Sequence, residues 1–285
     1  MSAYQQLYWT SPDGLKLHAR DYAGDASRPP IVCLPGLTRN ARDYDTLAAR
    51  LAGRWRVLAV NLRGRGGSEA AKDPMSYVPA TYVADVQALL ADQGIGRFVV
   101  IGTSLGGIVT MLLARAGAPI AAALLNDVGP EIEPVGLARI KGYVGRASSF
   151  PTWMHAARAV ADTNRDVYPD WRIEDWLAMA KRLYRLTSAG RIVLDYDLKI
   201  AEPLRNPGAE TGPDMWAALS ALRDVPTLVV RGGRSDILSA ATAERMVAGL
   251  DRAELTTVAG VGHAPTLSEP ALHEPIDRLL ARVVA

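Results

Sequence analysis

The segment Arg97-Phe-Val-Val-Ile-Gly102-Thr-Ser104-Leu-Gly106-Gly107 constrains this chain more than any other. An unbroken apolar run reads as a strand buried on both faces, over residues 97–101. The apolar stretch after the serine reads as a helix over 105–116. A strand that enters a helix this abruptly holds the residue at the corner in a strained backbone conformation. Gly102 and Gly106 omit side chains where strand and helix crowd each other. The pattern is Gly-x-Ser-x-Gly in its strand-to-helix context, which presents the Ser104 hydroxyl at the carboxyl end of a sheet. The helix that follows adds its positive end and the free N–H of Leu105 toward a developing oxyanion.

The rest of the chain repeats this alternation. Residues 6–10 and 15–22 form two strands around Ser11-Pro12-Asp13-Gly14, whose Asp-Gly step suits a hairpin turn. Strands are then expected at 30–34, 56–61, 121–126, 227–231 and 253–258, and helices at 44–51, 77–93, 240–250 and 271–283. Apolar strands alternating with helices predict an α/β fold. Its sheet would be mostly parallel, of about eight strands, with helices on both faces and the opening hairpin as an antiparallel edge. Between 133 and 222 the rhythm changes to helices alone, at 135–145, 152–164, 173–186 and 215–222. The expected organisation is a core of residues 1–132 and 223–285, with 133–222 inserted as a helical cap, or lid.

Composition narrows the function. The 32 Lys and Arg nearly balance 30 Asp and Glu, and no basic block tracks a phosphate backbone, so nucleic acid is not expected as a partner. The single cysteine, Cys33, lies in an apolar strand as a core residue, and no intrachain disulfide can form. The first ten residues lack the basic-then-apolar pattern of a secretory signal, and no apolar run reaches the ~18 residues of a membrane span. A cytoplasmic protein with a small-molecule substrate is the expectation. No clustered His and Cys pattern calls for a metal, and no cofactor is expected.

A serine hydroxyl needs a base. Of four histidines, His18 lies in the opening hairpin, His155 in the insertion and His273 inside the last helix. His263, in Gly260-Val-Gly262-His263-Ala-Pro265, directly follows the last strand, at the end of the sheet where Ser104 points. The base needs an acid to hold its tautomer. Asp236, in Gly233-Arg-Ser-Asp236-Ile-Leu238, follows the strand before His263 and completes the chain order Ser, Asp, His. Asp127, in Leu125-Asn-Asp127-Val-Gly, also follows a strand and is the rival for that place; its other reading is a cap or hinge at the entrance of the insertion. A second oxyanion donor would come from the backbone of Pro35-Gly36-Leu37, with Leu37 N–H the expected group. Loss of one such donor typically costs ~3 kcal/mol of transition-state stabilisation.

These residues together resemble the α/β-hydrolase superfamily over roughly 10–132 and 223–283. Pro35-Gly36-Leu37 is similar to the family's His-Gly oxyanion segment, with Pro35 in place of the histidine. Asn61-Leu-Arg-Gly-Arg-Gly-Gly-Ser68 resembles its Asp-x-Arg-Gly-x-Gly-x-Ser segment, with Asn61 in place of the aspartate. The resemblance implies acyl transfer through an acyl-enzyme on Ser104, with His263 as base, Asp236 as acid, and Leu37 and Leu105 as oxyanion donors. A serine nucleophile sets the chain apart from the superfamily's haloalkane dehalogenases and epoxide hydrolases, which use an aspartate. Carboxylesterases, enol-lactonases, carbon–carbon hydrolases of ring-cleavage products and cofactor-free haloperoxidase-like enzymes remain open, as does a small-molecule receptor on the same fold. An ester or lactone of a small to medium, apolar or aromatic substrate is the leading expectation. Trp153 and Met154 of the insertion are expected to contact it, and the insertion's arginines, among them Arg139, Arg146 and Arg182, keep a carboxylate-bearing substrate in view.

Overall fold

Side chains alternate across a strand, so a strand that is apolar at every position must be covered on both faces. The computed structural model describes residues 4–205 and 213–284, and its central strands obey that rule. The chain opens with β1 (Gln5–Thr10), β2 (Lys16–Tyr22) and β3 (Ile31–Leu34), then helix α1 (Asp45–Leu51) and β4 (Val57–Asn61). Helix α2 (Pro79–Asp92), β5 (Phe98–Thr103), α3 (Leu105–Arg115) and β6 (Ile120–Asn126) follow. On β5 and β6, Val100, Ala123 and Leu125 pack toward α2 and α3. Their neighbours Val99, Ile101, Ala122 and Leu124 pack toward α1 and the C-terminal helix.

The insertion holds α4 (Pro134–Tyr143), β7 (Ser149–Phe150), α5 (Trp153–Asn164), α6 (Ile173–Leu183), β8 (Tyr184–Leu186), β9 (Ile192–Leu194), α7 (Glu202–Arg205) and α8 (Met215–Ser220). The chain then returns through β10 (Thr227–Gly232), α9 (Ala240–Ala248), β11 (Ala253–Val258) and α10 (His273–Val284). The main sheet has eight strands in the order β1-β2-β4-β3-β5-β6-β10-β11. Pairing is antiparallel from β1 through β2 to β4 and parallel across the other five pairs. This is the mostly parallel α/β sheet that the alternation of apolar runs predicts. Because the insertion is looped out, β6 and β10 lie side by side, and their carboxyl ends meet.

The insertion is not helical throughout. β7, β9 and β8 form a three-stranded antiparallel sheet, and α6 ends at Leu183, where a helix to 186 was expected. Strands of two or three residues are too short to show a period of two, so their sequence carries no strand signal. Helices α5 and α6 enclose a small core of their own, including Ala156, Ala157, Val160, Trp176 and Met179. Helix α8 differs, since its Ala218 and Leu219 join the core on the α3 face of the main sheet. No helix among the described residues is long and apolar enough to cross a membrane.

Candidate active site

Ser104 stands between β5 and α3 at φ 52° and ψ −116°, a conformation that side chains seldom adopt. The close approach of backbone around it explains the glycines. A Cβ on Gly106 would lie 1.9 Å from the Leu34 carbonyl oxygen, and one on Gly102 would lie 2.4 Å from that of Gly106. Strand β5, the serine corner and α3 can therefore pack only if both positions are glycine.

His263 reaches the serine from the loop after β11. Its Nε2 lies 3.0 Å from Ser104 Oγ. The insertion fastens this loop, with Gly262 N–H donating to the Val167 carbonyl at 2.8 Å and the Tyr168 hydroxyl donating to that of Ala264. The expectation for Asp236 is overturned at the other ring nitrogen. His263 Nδ1 lies 2.8 Å from Asp127 Oδ2. Asp236 instead accepts from Arg139 Nε at 2.6 Å and Nη2 at 2.8 Å, and that guanidinium holds its carboxyl below the usual carboxylate range.

The reason lies in how far each aspartate stands from the end of its strand. Asp127 comes immediately after β6 and is fully buried, with φ 56°. Its own N–H donates to Val230 O of β10 at 2.8 Å, while its Oδ1 accepts from Gly232 N–H and its Oδ2 from Ser235 Oγ, each at 2.7 Å. Asp236 stands four residues beyond Gly232, and the intervening turn carries it out to the rim, where α4 meets it. The segment expected to carry the acid thus supplies donors to the acid of its neighbour strand. A sequence signal for Asp127 exists: an aspartate at the end of a buried strand is one of the few side chains that tolerate a positive φ.

Leu37 and Leu105 both flank the serine corner. Leu105 is the first residue of α3, so its N–H has no partner within the helix. Leu37 follows Gly36, where an added Cβ would stand 3.6 Å from Ser104 Cβ. Neither N–H donates to another backbone carbonyl among the described residues. Ser104, His263 and the segment 36–39 border a cavity of about 600 Å3 between the sheet ends and the insertion. Tyr143, Phe150, Val160, Tyr168, Trp176 and Tyr184 form much of its wall.

Trp153 and Met154 do not line this cavity, against expectation. Helix α5 turns Ala159, Val160, Thr163 and Asn164 toward it. Trp153 and Met154, at the start of the helix, fall outside that face. Trp153 packs on the insertion's own core, and Met154 is 39% exposed. Four arginines do border the cavity. Arg39 pairs with Asp43, and Arg139 with Asp236, each at 2.6 Å. Arg146 and Arg182 have no carboxylate within 4 Å among the described residues. Nor do the described residues contain a cluster of three His, Cys, Asp or Glu side chains able to hold a metal.

The chain is similar to several known proteins. An alpha/beta hydrolase from Novosphingobium aromaticivorans is 59% identical, with a TM-score of 0.95 over 99% of both chains. A 3-hydroxybutyrate-oligomer hydrolase from Cupriavidus necator is 35% identical over 92% of both proteins. A 2-(acetamidomethylene)succinate hydrolase from Mesorhizobium japonicum is 27% identical over 75% of this chain and 74% of its own. The model of the alpha/beta hydrolase family matches residues 31–272, in agreement with the sheet order and the serine corner, and the chain belongs to that family of hydrolases.

Proposed function

We propose that this protein is a serine esterase that cleaves short carboxylic esters bearing a free carboxylate, such as oligomers of a hydroxy acid. The observation that carries the reading is the continuous line Asp127–His263–Ser104, linked at 2.8 and 3.0 Å, whose serine and histidine border the cavity. With Nδ1–H donated to Asp127, His263 Nε2 is left to take the proton of Ser104 as Oγ adds to the ester carbonyl. The negative charge that forms on the carbonyl oxygen is met by the N–H groups of Leu37 and Leu105. The imidazolium then returns the proton to the departing alcohol. Water, activated by the same nitrogen, releases the acid and restores the serine.

The cavity supports the substrate class. Its wall is mainly apolar and aromatic, which suits a short aliphatic chain. Arg146 and Arg182 remain without an acid partner, so an anionic end of the substrate completes the charge balance. In this reading the insertion acts as the cap that shapes the substrate. The 3-hydroxybutyrate-oligomer hydrolase at 35% identity points the same way.

The test compares p-nitrophenyl esters of rising chain length with 3-hydroxybutyrate dimers and trimers and their methyl esters, for the wild type and Ser104→Ala. Hydrolysis that the variant lacks, faster for the free acids than for their methyl esters, is expected. If a folded wild type cleaves no ester, the reading fails, and amide and carbon–carbon substrates come next.

A further inference from the structure

Two arginines, two positions apart in the turn after β4, lie wholly inside the protein. Arg63 is neutralised there. It donates from Nε and Nη2 to Asp85 at 2.7 and 2.6 Å, and from Nη1 to Asp13 at 2.8 Å. Arg65 has no such partner. It is 0% exposed, yet no carboxylate lies within 4 Å of its guanidinium among the described residues. Its Nε donates to the Leu37 carbonyl at 2.9 Å and its Nη1 to that of Arg63 at 2.6 Å. Nη2 meets no hydrogen-bond acceptor at bonding geometry among the described residues, and the rings of Tyr77 and Tyr82 lie 5.5 and 5.1 Å from the guanidinium carbon.

A buried cation without a counter-charge is destabilising, and carbonyls and aromatic faces offset only part of that. Filling the space does not require it, since a methionine would serve. Nor does fastening the insertion, because the backbone of this turn already does so. Gly66 N–H donates to Asp195 O at 3.1 Å, and Asp197 N–H donates to Gly64 O at 2.7 Å. What the side chain alone contributes is a fixed positive charge bonded to Leu37, which borders the same cavity as Ser104.

We infer that Arg65 is a positioning residue for the oxyanion: its bond to the Leu37 carbonyl holds the 36–38 segment in place beside Ser104, and its charge, with no carboxylate in direct contact, favours the anion that forms there. The inference rests on the acyl-transfer reading of Ser104. The negative charge at Ser104 appears only as the tetrahedral intermediate forms, so the benefit falls on the transition state and on kcat rather than on substrate binding.

The experiment uses Arg65→Met and Arg65→Lys, each checked by thermal melting. It measures kcat and KM on p-nitrophenyl butyrate and the inhibition constant of phenylboronic acid. The boronic acid adds Ser104 Oγ to boron while His263 takes the serine proton, which leaves a tetrahedral anion in place of the intermediate. Arg65→Met is expected to lower kcat by roughly 10- to 100-fold with little change in KM, and to weaken the boronate by a similar factor. Arg65→Lys keeps a cation but loses the planar fork that aims Nε and Nη1 at the two carbonyls, and should fall in between on the same proportionality. It carries the test alone if the methionine variant does not fold. Folded variants with kcat and boronate affinity within twofold of wild type overturn the inference, whatever their melting temperature. A wild type that neither cleaves esters nor binds the boronate overturns the reading of Ser104 instead.

Discussion

Asp127 and Asp236 stand at the carboxyl ends of two adjacent parallel strands, β6 and β10, and do opposite things. Asp127 is buried, held at a positive φ, and surrounded by donors from Gly232, Ser235 and His263. Asp236 is 30% exposed and pairs with Arg139 of α4, so it ties the insertion to the core. The difference teaches that a carboxylate orients a base when its own lone pairs are already committed. Two donors besides the imidazole hold Asp127 still, so its charge is spent on one direction, toward Nδ1. Asp236, satisfied by a guanidinium at the rim, has a tethering role available and no fixed aim at the histidine.

The sharpest break of this comparison is Asp127→Asn against Asp236→Asn. The first should lower kcat by roughly 10³- to 10⁴-fold with the fold retained, because the amide disfavours the tautomer that the serine needs. The double variant should be no slower than Asp127→Asn alone, since the second carboxylate does not share the work. A large loss in Asp236→Asn with Asp127→Asn near wild type would reverse the assignment.

Next in size is Ser235→Ala, which removes one donor from Asp127 and leaves the others. A loss of about 10-fold in kcat is expected. Urea unfolding should show about 1.5–3 kcal/mol of lost stability, the usual range for a hydrogen bond to a charged group. If stability falls but kcat does not, the hydroxyl supports the loop and not the aim of the carboxylate.

Asp236→Asn by itself should act mainly on KM, by a few-fold, because it loosens α4 at the cavity rim. The pair is partly exposed, so its contribution to stability should stay within about 1 kcal/mol. Hydrogen exchange over residues 134–143 should rise in the variant if the pair is a tether, and should not change if it is not.

The smallest effect on catalysis belongs to His18, a buried histidine with a neutral partner where His263 has a charged one. Asn61 Oδ1 accepts from Ala41 N–H at 2.7 Å, which turns its amide to donate to His18 Nδ1 at 2.6 Å. Burial pushes the His18 pKa down to about 4 from 6.5. The unfolded chain therefore binds the extra proton between these values. The stability that His18 contributes is complete above about pH 6.5 and is lost as pH falls toward 4, by at most about 3 kcal/mol. His18→Gln should lack that part of the acid-induced loss, as read from unfolding midpoints at pH 7 and pH 4.5. An identical pH slope in the variant would remove His18 from the account.

Much of this was legible locally. The serine corner could be read because a strand, one strained residue and a helix are contiguous in the chain, and Gly102 and Gly106 are needed within four positions of one another. His263 could be read because its loop directly follows the last strand. The acid could not be chosen on the same grounds, since Asp127 and Asp236 both follow apolar strands. Their difference appears only when β6 and β10 pair across an insertion of about a hundred residues. Trp153 and Met154 were misplaced for a related reason. Their bulk and apolarity say that they pack, but the face of α5 that meets the cavity is set by how α5 lies on α6.

What the sequence determined by itself is therefore the α/β sheet covered on both faces, the serine corner and the loop that carries His263, because each is written in residues adjacent along the chain. What only the tertiary structure decided is which aspartate meets His263, the cavity wall and the buried charge of Arg65 behind Leu37. Those depend on distances between segments far apart in sequence, where burial and the supply of hydrogen-bond partners select among side chains that look alike in the sequence.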